Sequence, residues 1–168
     1  MASEPIEDPV ARAASAGTGQ APAGGFAALV PELSVSDIGA SLAFWCGVLG
    51  FAVAYDRPTA RFAYLVRGRV QVMLCERNGR WETAAMERPF GQGINLQMAV
   101  ERIGPLVTAL EAAGWPLYEG PTEAWYRIGD REGGNLEFLV QDPDGYLLRF
   151  AENLGSRSPT DRPVPPSP

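Results

Sequence analysis

The chain has 168 residues, 46% of them hydrophobic, which is enough for one domain with a real core. A net charge of −6, with no Lys/Arg cluster, excludes a general affinity for nucleic acid or an anionic membrane, and no apolar run approaches the roughly 20 residues of a membrane span. Histidine is absent, which removes the commonest general base, the commonest transition-metal ligand and every Ser–His or Cys–His pair. The negative charge is compatible with a cationic small-molecule ligand, but solubility alone accounts for it. The first eight residues carry Glu4, Glu7 and Asp8 where a secretory signal is basic, so the expectation is a cytoplasmic protein. Cys46 and Cys75 sit in apolar contexts without metal or disulfide spacing, and are expected to be buried and reduced.

Residues 1–25 are rich in Ala, Gly, Pro and Ser without periodicity, and are expected to form a disordered tail. The folded part is expected over 26–154. Residues 27–34 read as a strand interrupted by Pro31. Ser36 and Asp37 offer a helix cap. Ile38, Leu42, Trp45 and Leu49 follow at spacings of 4, 3 and 4, one face of a helix that Gly50 ends. Residues 51–57, 60–67 and 69–76 read as three short strands, with turns at Pro58 and Gly68. A loop is expected over 77–93, then a strand over 94–100 and a helix over 101–113. That helix places Pro105 in its first turn and Ile103, Val107 and Leu110 on one face, and Gly114 stops it. Residues 117–118, 124–128, 136–140 and 146–151 supply further strand. Asp142, Pro143, Asp144 and Gly145 join the last two as a tight turn, since proline presets its φ, aspartate bonds to local backbone and glycine accepts positive φ. Residues 155–168 form a second expected disordered tail, with five prolines that forbid a helix or central strand.

The order repeats in the letters. Val35 and Ile38 correspond to Val100 and Ile103 at an offset of 65, Leu42 then matches Val107, and Trp45 matches Leu110. Gly50-Phe51 matches Gly114-Trp115, one residue short. The fold class is therefore α+β: two tandem βαβββ modules, about 26–76 and 94–154, forming a cupped mixed sheet with helices on the outside. A bare sheet face does not stay bare, so the two modules are expected to close around a shared groove.

Four segments carry a resemblance: Pro31 to Ile38, Ser41 to Trp45, Val48 to Phe51, and the hairpin Asp142 to Phe150. Together they resemble the vicinal oxygen chelate superfamily, whose members include glyoxalase I, ring-cleaving dioxygenases, fosfomycin resistance enzymes and bleomycin resistance proteins. The resemblance covers residues 26–154. Its enzymes hold a divalent metal through four strand positions, typically His, Glu, His and Glu. Here those positions fall on Val30, Asn95, Arg149 and, within about one residue of register, Met73. Valine has no lone pair, methionine is soft, asparagine is weak for a divalent ion, and arginine brings a fixed positive charge where the cation would sit. The expectation is accordingly a non-enzyme with no metal and no cofactor.

Within the superfamily the chain is most similar to the bleomycin resistance group. That resemblance implies a homodimer that sequesters a bleomycin-type antibiotic in a groove between modules or subunits, with no partner among nucleic acids or membranes. Antibiotic-binding members commonly have Trp-Gly before the late hairpin. This chain has Glu132, Gly133 and Gly134 there, with Trp125 and Tyr126 upstream. A lyase, thiol transferase or dioxygenase of the same superfamily is the alternative, and an orphan dimer whose groove is filled by its own side chains is a third.

Candidate ligand-binding residues are Phe62, Tyr64, Trp81, Trp125, Tyr126, Glu137 and Arg149. Phe62 and Tyr64 alternate with Val66 on one strand face, which is either core or groove. Trp81 lies in the loop 77–93 and Trp125-Tyr126 in another. Each is either a stacking platform for a planar ligand or an aromatic covered by its own loop. Phe44 and Trp45 belong to the core. Arg149 alternates with Leu148 and Phe150, so it faces the cup if they face the helix. There it needs a carboxylate, and Glu137 on the neighbouring strand is the expected partner.

Overall fold

Each half of the chain builds the same four-stranded mixed sheet. In the computed structural model, which describes residues 18–159, the first half runs β1 (Glu32–Val35), α1 (Ile38–Leu42), a π-helical continuation (Ala43–Val48), β2 (Ala52–Arg57), β3 (Phe62–Arg67) and β4 (Val70–Glu76). The second half runs β5 (Asn95–Val100), α2 (Gly104–Ala112), β6 (Glu119–Ile128), β7 (Arg131–Gln141) and β8 (Leu147–Arg157). The strand orders are β1-β4-β3-β2 and β5-β8-β7-β6. In each sheet the first strand pairs parallel with the last, and the other neighbours are antiparallel. This is the expected βαβββ unit used twice, and the chain divides into compact units Met1–Arg88 and Pro89–Pro168.

The offset of 65 read from the letters is visible in the register. Glu32 pairs with Met73 and Gln97 pairs with Arg149, so Met73 and Arg149 hold equivalent positions in their modules. In the first unit Leu33, Val35, Ala63, Leu65, Val72 and Leu74 are all buried, and alternation puts them on one sheet face. Phe44, Trp45 and Leu49 are buried as well, as their helical spacing requires, and Trp45 meets the Phe51 ring edge-on at 5.1 Å. In the second unit Phe138, Val140, Leu148 and Phe150 are fully buried, and Phe138 stacks on Phe150 at 5.3 Å. Burying a side chain of this size contributes roughly 1.5–3 kcal/mol. Each core is built from one sheet face and one helix.

Asp37 caps α1 as expected, its carboxylate accepting from Ala40 N at 2.8 Å. The helix then widens: Leu49 N donates to Phe44 O, five residues back, so the last turns are π-helical rather than α. Glu76 and Glu152 perform one task in the two units. Glu76 Oε2 accepts from Ile38 N at 3.1 Å, and Glu152 Oε2 accepts from Ile103 N at 2.9 Å. A carboxylate from the sheet thus sits at the electropositive start of each helix. The late turn behaves as its residues dictate: Asp142 Oδ1 accepts from Asp144 N and Tyr146 N, and Gly145 N donates to Asp142 O.

Several expectations need correction. Trp125 and Tyr126 lie on β6, within the strand expected over 124–128 and not in the loop also read for them, and the hairpin β6–β7 closes at Ile128 and Arg131. Glycines at 133 and 134 belong to β7, where they leave room for the side chains opposite. β8 continues to Arg157, three residues into the expected C-terminal tail. Residues 18–25 of the expected N-terminal tail are described as well, and Gly19 bridges antiparallel to Tyr55. The remainder of the two expected disordered tails, 1–17 and 160–168, lies outside the described residues. Cys46 and Cys75 are half-buried rather than buried and neither forms a disulfide, with burial pushing the Cys46 thiol up from its ordinary pKa. Among the described residues, no helix is long and apolar enough to cross a membrane.

Candidate ligand-binding site

Leu148 and Phe150 are fully buried, so Arg149 between them points to the opposite face of the second sheet. Glu137 lies on β7, next to β8, and meets it: Arg149 Nη1 is 3.6 Å from Glu137 Oε1. The expected ion pair is present, at a separation too long for a good hydrogen bond. Tyr126, on β6, donates its O–H to the same Glu137 oxygen at 2.7 Å. Three adjacent strands therefore place a phenol, a carboxylate and a guanidinium together.

The cluster is incompletely satisfied. Glu137 is 7% exposed, and its second oxygen, Oε2, is buried without a hydrogen-bond partner. Arg149 Nε is buried and unpartnered too. Buried polar atoms are seldom left in this state, because each forfeits its hydration without recompense. One free acceptor and one free donor, on a pair of no net charge, are what a polar ligand group carrying both functions would fill. The hydrogen bond to Glu137 holds the Tyr126 phenol above its ordinary pKa, and burial and the Glu137 charge act in the same direction; Arg149 opposes them.

Trp125 does not stand free. Its indole packs where a Cβ on Gly134 would be, 2.7 Å away, so only glycine admits it. The Arg157 guanidinium covers the ring at 3.8 Å, and Trp125 Nε1 donates to Glu123 Oε1 at 2.5 Å. Arg157 in turn pairs with the fully buried Glu132 at 3.0 Å. Trp81 is 55% exposed in the loop 77–93, with the Arg80 guanidinium 4.6 Å from its ring.

Phe62 and Tyr64 belong to the first unit and lie on the face opposite Ala63 and Leu65. Both are buried. Tyr64 stacks on Tyr55 at 4.9 Å and donates to Gln71 Oε1 at 2.5 Å, and Arg57 lies over Phe62 at 4.4 Å. The structure thus groups the seven candidates into a polar cluster (Tyr126, Glu137, Arg149), an aromatic face (Phe62, Tyr64), and Trp81 and Trp125 apart. Gln71 was not singled out by the sequence; its only signal was a polar residue alternating with Met73 on a strand. Glu76 and Glu152 were not singled out as a pair either; their equivalence appears in the register, each opposite the valine that ends its module's first strand.

The four superfamily metal positions do not fit a divalent ion. Val30 precedes β1, Asn95 opens β5, Met73 lies on β4, and Arg149 carries a guanidinium already facing Glu137. Among the described residues no three His, Cys, Asp or Glu side chains converge.

The family model described as the Glyoxalase/Bleomycin resistance protein/Dioxygenase superfamily matches residues 25–150. A bleomycin resistance protein of Geobacillus stearothermophilus is 26% identical over 136 residues, covering 76% of this chain and 97% of that one. Virulence protein STM3117 of Salmonella typhimurium is 27% identical over 120 residues, 71% of this chain and 79% of that one. Its crystal structure superposes with a TM-score of 0.56, covering 76% of this chain and 96% of that chain at 25% identity. The bleomycin resistance determinant encoded on transposon Tn5 shares the fold, with a TM-score of 0.53 over 77% of this chain and 99% of that chain at 21% identity. With a family model that spans most of its length and two βαβββ units in register, this chain belongs to the Glyoxalase/Bleomycin resistance protein/Dioxygenase superfamily.

Proposed function

We propose that the chain is a non-catalytic binding protein that sequesters a small polar, partly planar molecule of the bleomycin type, as a homodimer. The observation that carries this reading is the pair of unpartnered buried atoms, Glu137 Oε2 and Arg149 Nε, beside the exposed Tyr126. Such atoms are held ready for a ligand at a cost in stability. The likeness to bleomycin resistance proteins supplies the ligand class. The enzymatic alternative requires three oxygen or nitrogen ligands for a metal, and Val30, Met73, Asn95 and Arg149 do not furnish them.

The test is a calorimetric titration of metal-free protein with bleomycin. Saturable binding in the micromolar range or tighter, near one drug per chain, unchanged by chelator and lost in Glu137→Ala, is the expected result. Absence of binding at high drug concentration, with Glu137→Ala indistinguishable from the parent, would overturn the antibiotic reading.

A further inference from the structure

The first unit carries a filled recognition site, and its occupant is the protein's own N-terminal segment. Residues 18–20 run along β2, the edge strand of the first sheet. Asp56 N donates to Thr18 O and Gln20 N to Ala54 O, both at 3.0 Å. Thr18 donates to Asp56 Oδ1 twice, from its backbone N at 3.0 Å and from its hydroxyl at 2.6 Å. Those two bonds hold the Asp56 carboxyl below its ordinary pKa. Gly19 fits between them only because it lacks a Cβ, which would lie 2.1 Å from Ala54 O. The segment then leaves the edge and crosses onto the sheet face opposite the helix.

There one side chain holds it. Gln71 Nε2 donates to Gly25 O at 2.8 Å, and Gln71 Oε1 accepts from Ala27 N at 2.8 Å. A single amide therefore clamps the backbone on both sides of Phe26. Between the two clamped peptides the Phe26 ring meets Tyr64 edge-on at 5.6 Å and Tyr55 at 6.5 Å. Tyr64, whose hydroxyl bonds to the same Gln71 oxygen, is 2% exposed. The combination reads one aromatic residue flanked by a carbonyl acceptor and an N–H donor.

Phe26 itself remains 61% exposed, and the bonds that hold residues 25–27 are open to water. A segment secured by exposed hydrogen bonds and one ring edge opens at low free-energy cost. We propose that residues 18–27 are a displaceable strap: in cis they occupy a site on the Tyr55–Tyr64 face for an aromatic group with flanking amide functions. Any ligand of that chemistry competes with Phe26, and the strap sets the concentration at which it succeeds. Tethering gives the strap an effective concentration in roughly the millimolar range, so a free copy binds visibly only once the tethered one is weakened.

The experiment uses the full chain and a free peptide of residues 20–29. Nuclear magnetic resonance follows the Tyr64 ring signals and the exchange of the Ala27 amide. In Phe26→Ala the Ala27 amide should exchange at least tenfold faster than in the parent, with the folded spectrum otherwise retained. The peptide should then shift Tyr64 saturably in Phe26→Ala, and at least tenfold more weakly in the parent. A peptide with alanine in place of its phenylalanine, or a Phe26→Ala/Gln71→Ala protein, should give no shift. Equal responses of parent and Phe26→Ala, no response in either, or unchanged Ala27 exchange would each overturn the proposal.

Discussion

The two units share a topology and a register, and they differ in what the face away from the helix carries. In the first unit that face is aromatic, with Tyr55, Phe62 and Tyr64 packed together and crossed by residues 25–27 of the same chain. In the second it is polar, with Tyr126, Glu137 and Arg149 clustered and two of their buried atoms unfilled. Equivalent ladder positions make the contrast sharp: Met73 stands where the second unit has Arg149. A duplicated unit keeps the side that packs on its helix and lets the other side diverge. The packing side is set by volume and alternation, whereas the other answers to ligand chemistry.

The largest test of this separation is in the cores. Trp45→Ala removes a fully buried indole from the first unit and Phe150→Ala a fully buried ring from the second, each costing about 3–5 kcal/mol. Hydrogen exchange should lose protection first in the unit that carries the substitution. Loss of protection in both units together would show that they unfold as one body.

A smaller effect is expected at the polar cluster. Glu137→Ala leaves Arg149 without its carboxylate in a largely buried position, a loss of about 2–4 kcal/mol by denaturant unfolding. Glu137→Leu/Arg149→Met should recover most of that stability while binding no polar ligand. A double variant as unstable as the single would mean that the pair is retained for folding rather than for a ligand.

The helix anchors should behave alike in both units. Glu76→Gln and Glu152→Gln each discharge the carboxylate at a helix start and should cost about 1 kcal/mol apiece. A marked inequality between them would break the symmetry drawn here. The mildest test is alkaline titration of Tyr126. Its folded pKa is raised, so the contribution of its bond to Glu137 is fully present below the ordinary tyrosine value and is lost as pH rises through the folded value. Ultraviolet absorbance should show Tyr126 and the buried Tyr64 ionising late, and Glu137→Gln should bring only Tyr126 earlier.

The modular fold was legible because periodicity is a local property. Ile38, Leu42, Trp45 and Leu49 announce a helix face, and the letters around Val35 and Val100 announce its repetition. The Arg149–Glu137 pair was legible from alternation along two strands joined by a recognisable turn. The early start of β7 at Arg131 was not, because Gly133 and Gly134 look like loop residues until the indole that needs the space at Gly134 is seen across the ladder. The order of residues 18–25 was hidden for a related reason. Their composition promises no structure, and what holds them comes from Asp56 and Gln71, distant in sequence.

The clamp on Trp125 also decides what the protein's own fluorescence reports. Of its four tryptophans, Trp45 is sealed in the first core, Trp115 donates to Gln141 O, and Trp125 lies between Gly134 and Arg157. Trp81 is the indole most open to solvent. A soluble quencher will therefore reach the loop 77–93 ahead of the other three, and a ligand that changes the quenchable fraction announces itself at that loop. A ligand seated at the Glu137 cluster instead meets Tyr126 directly.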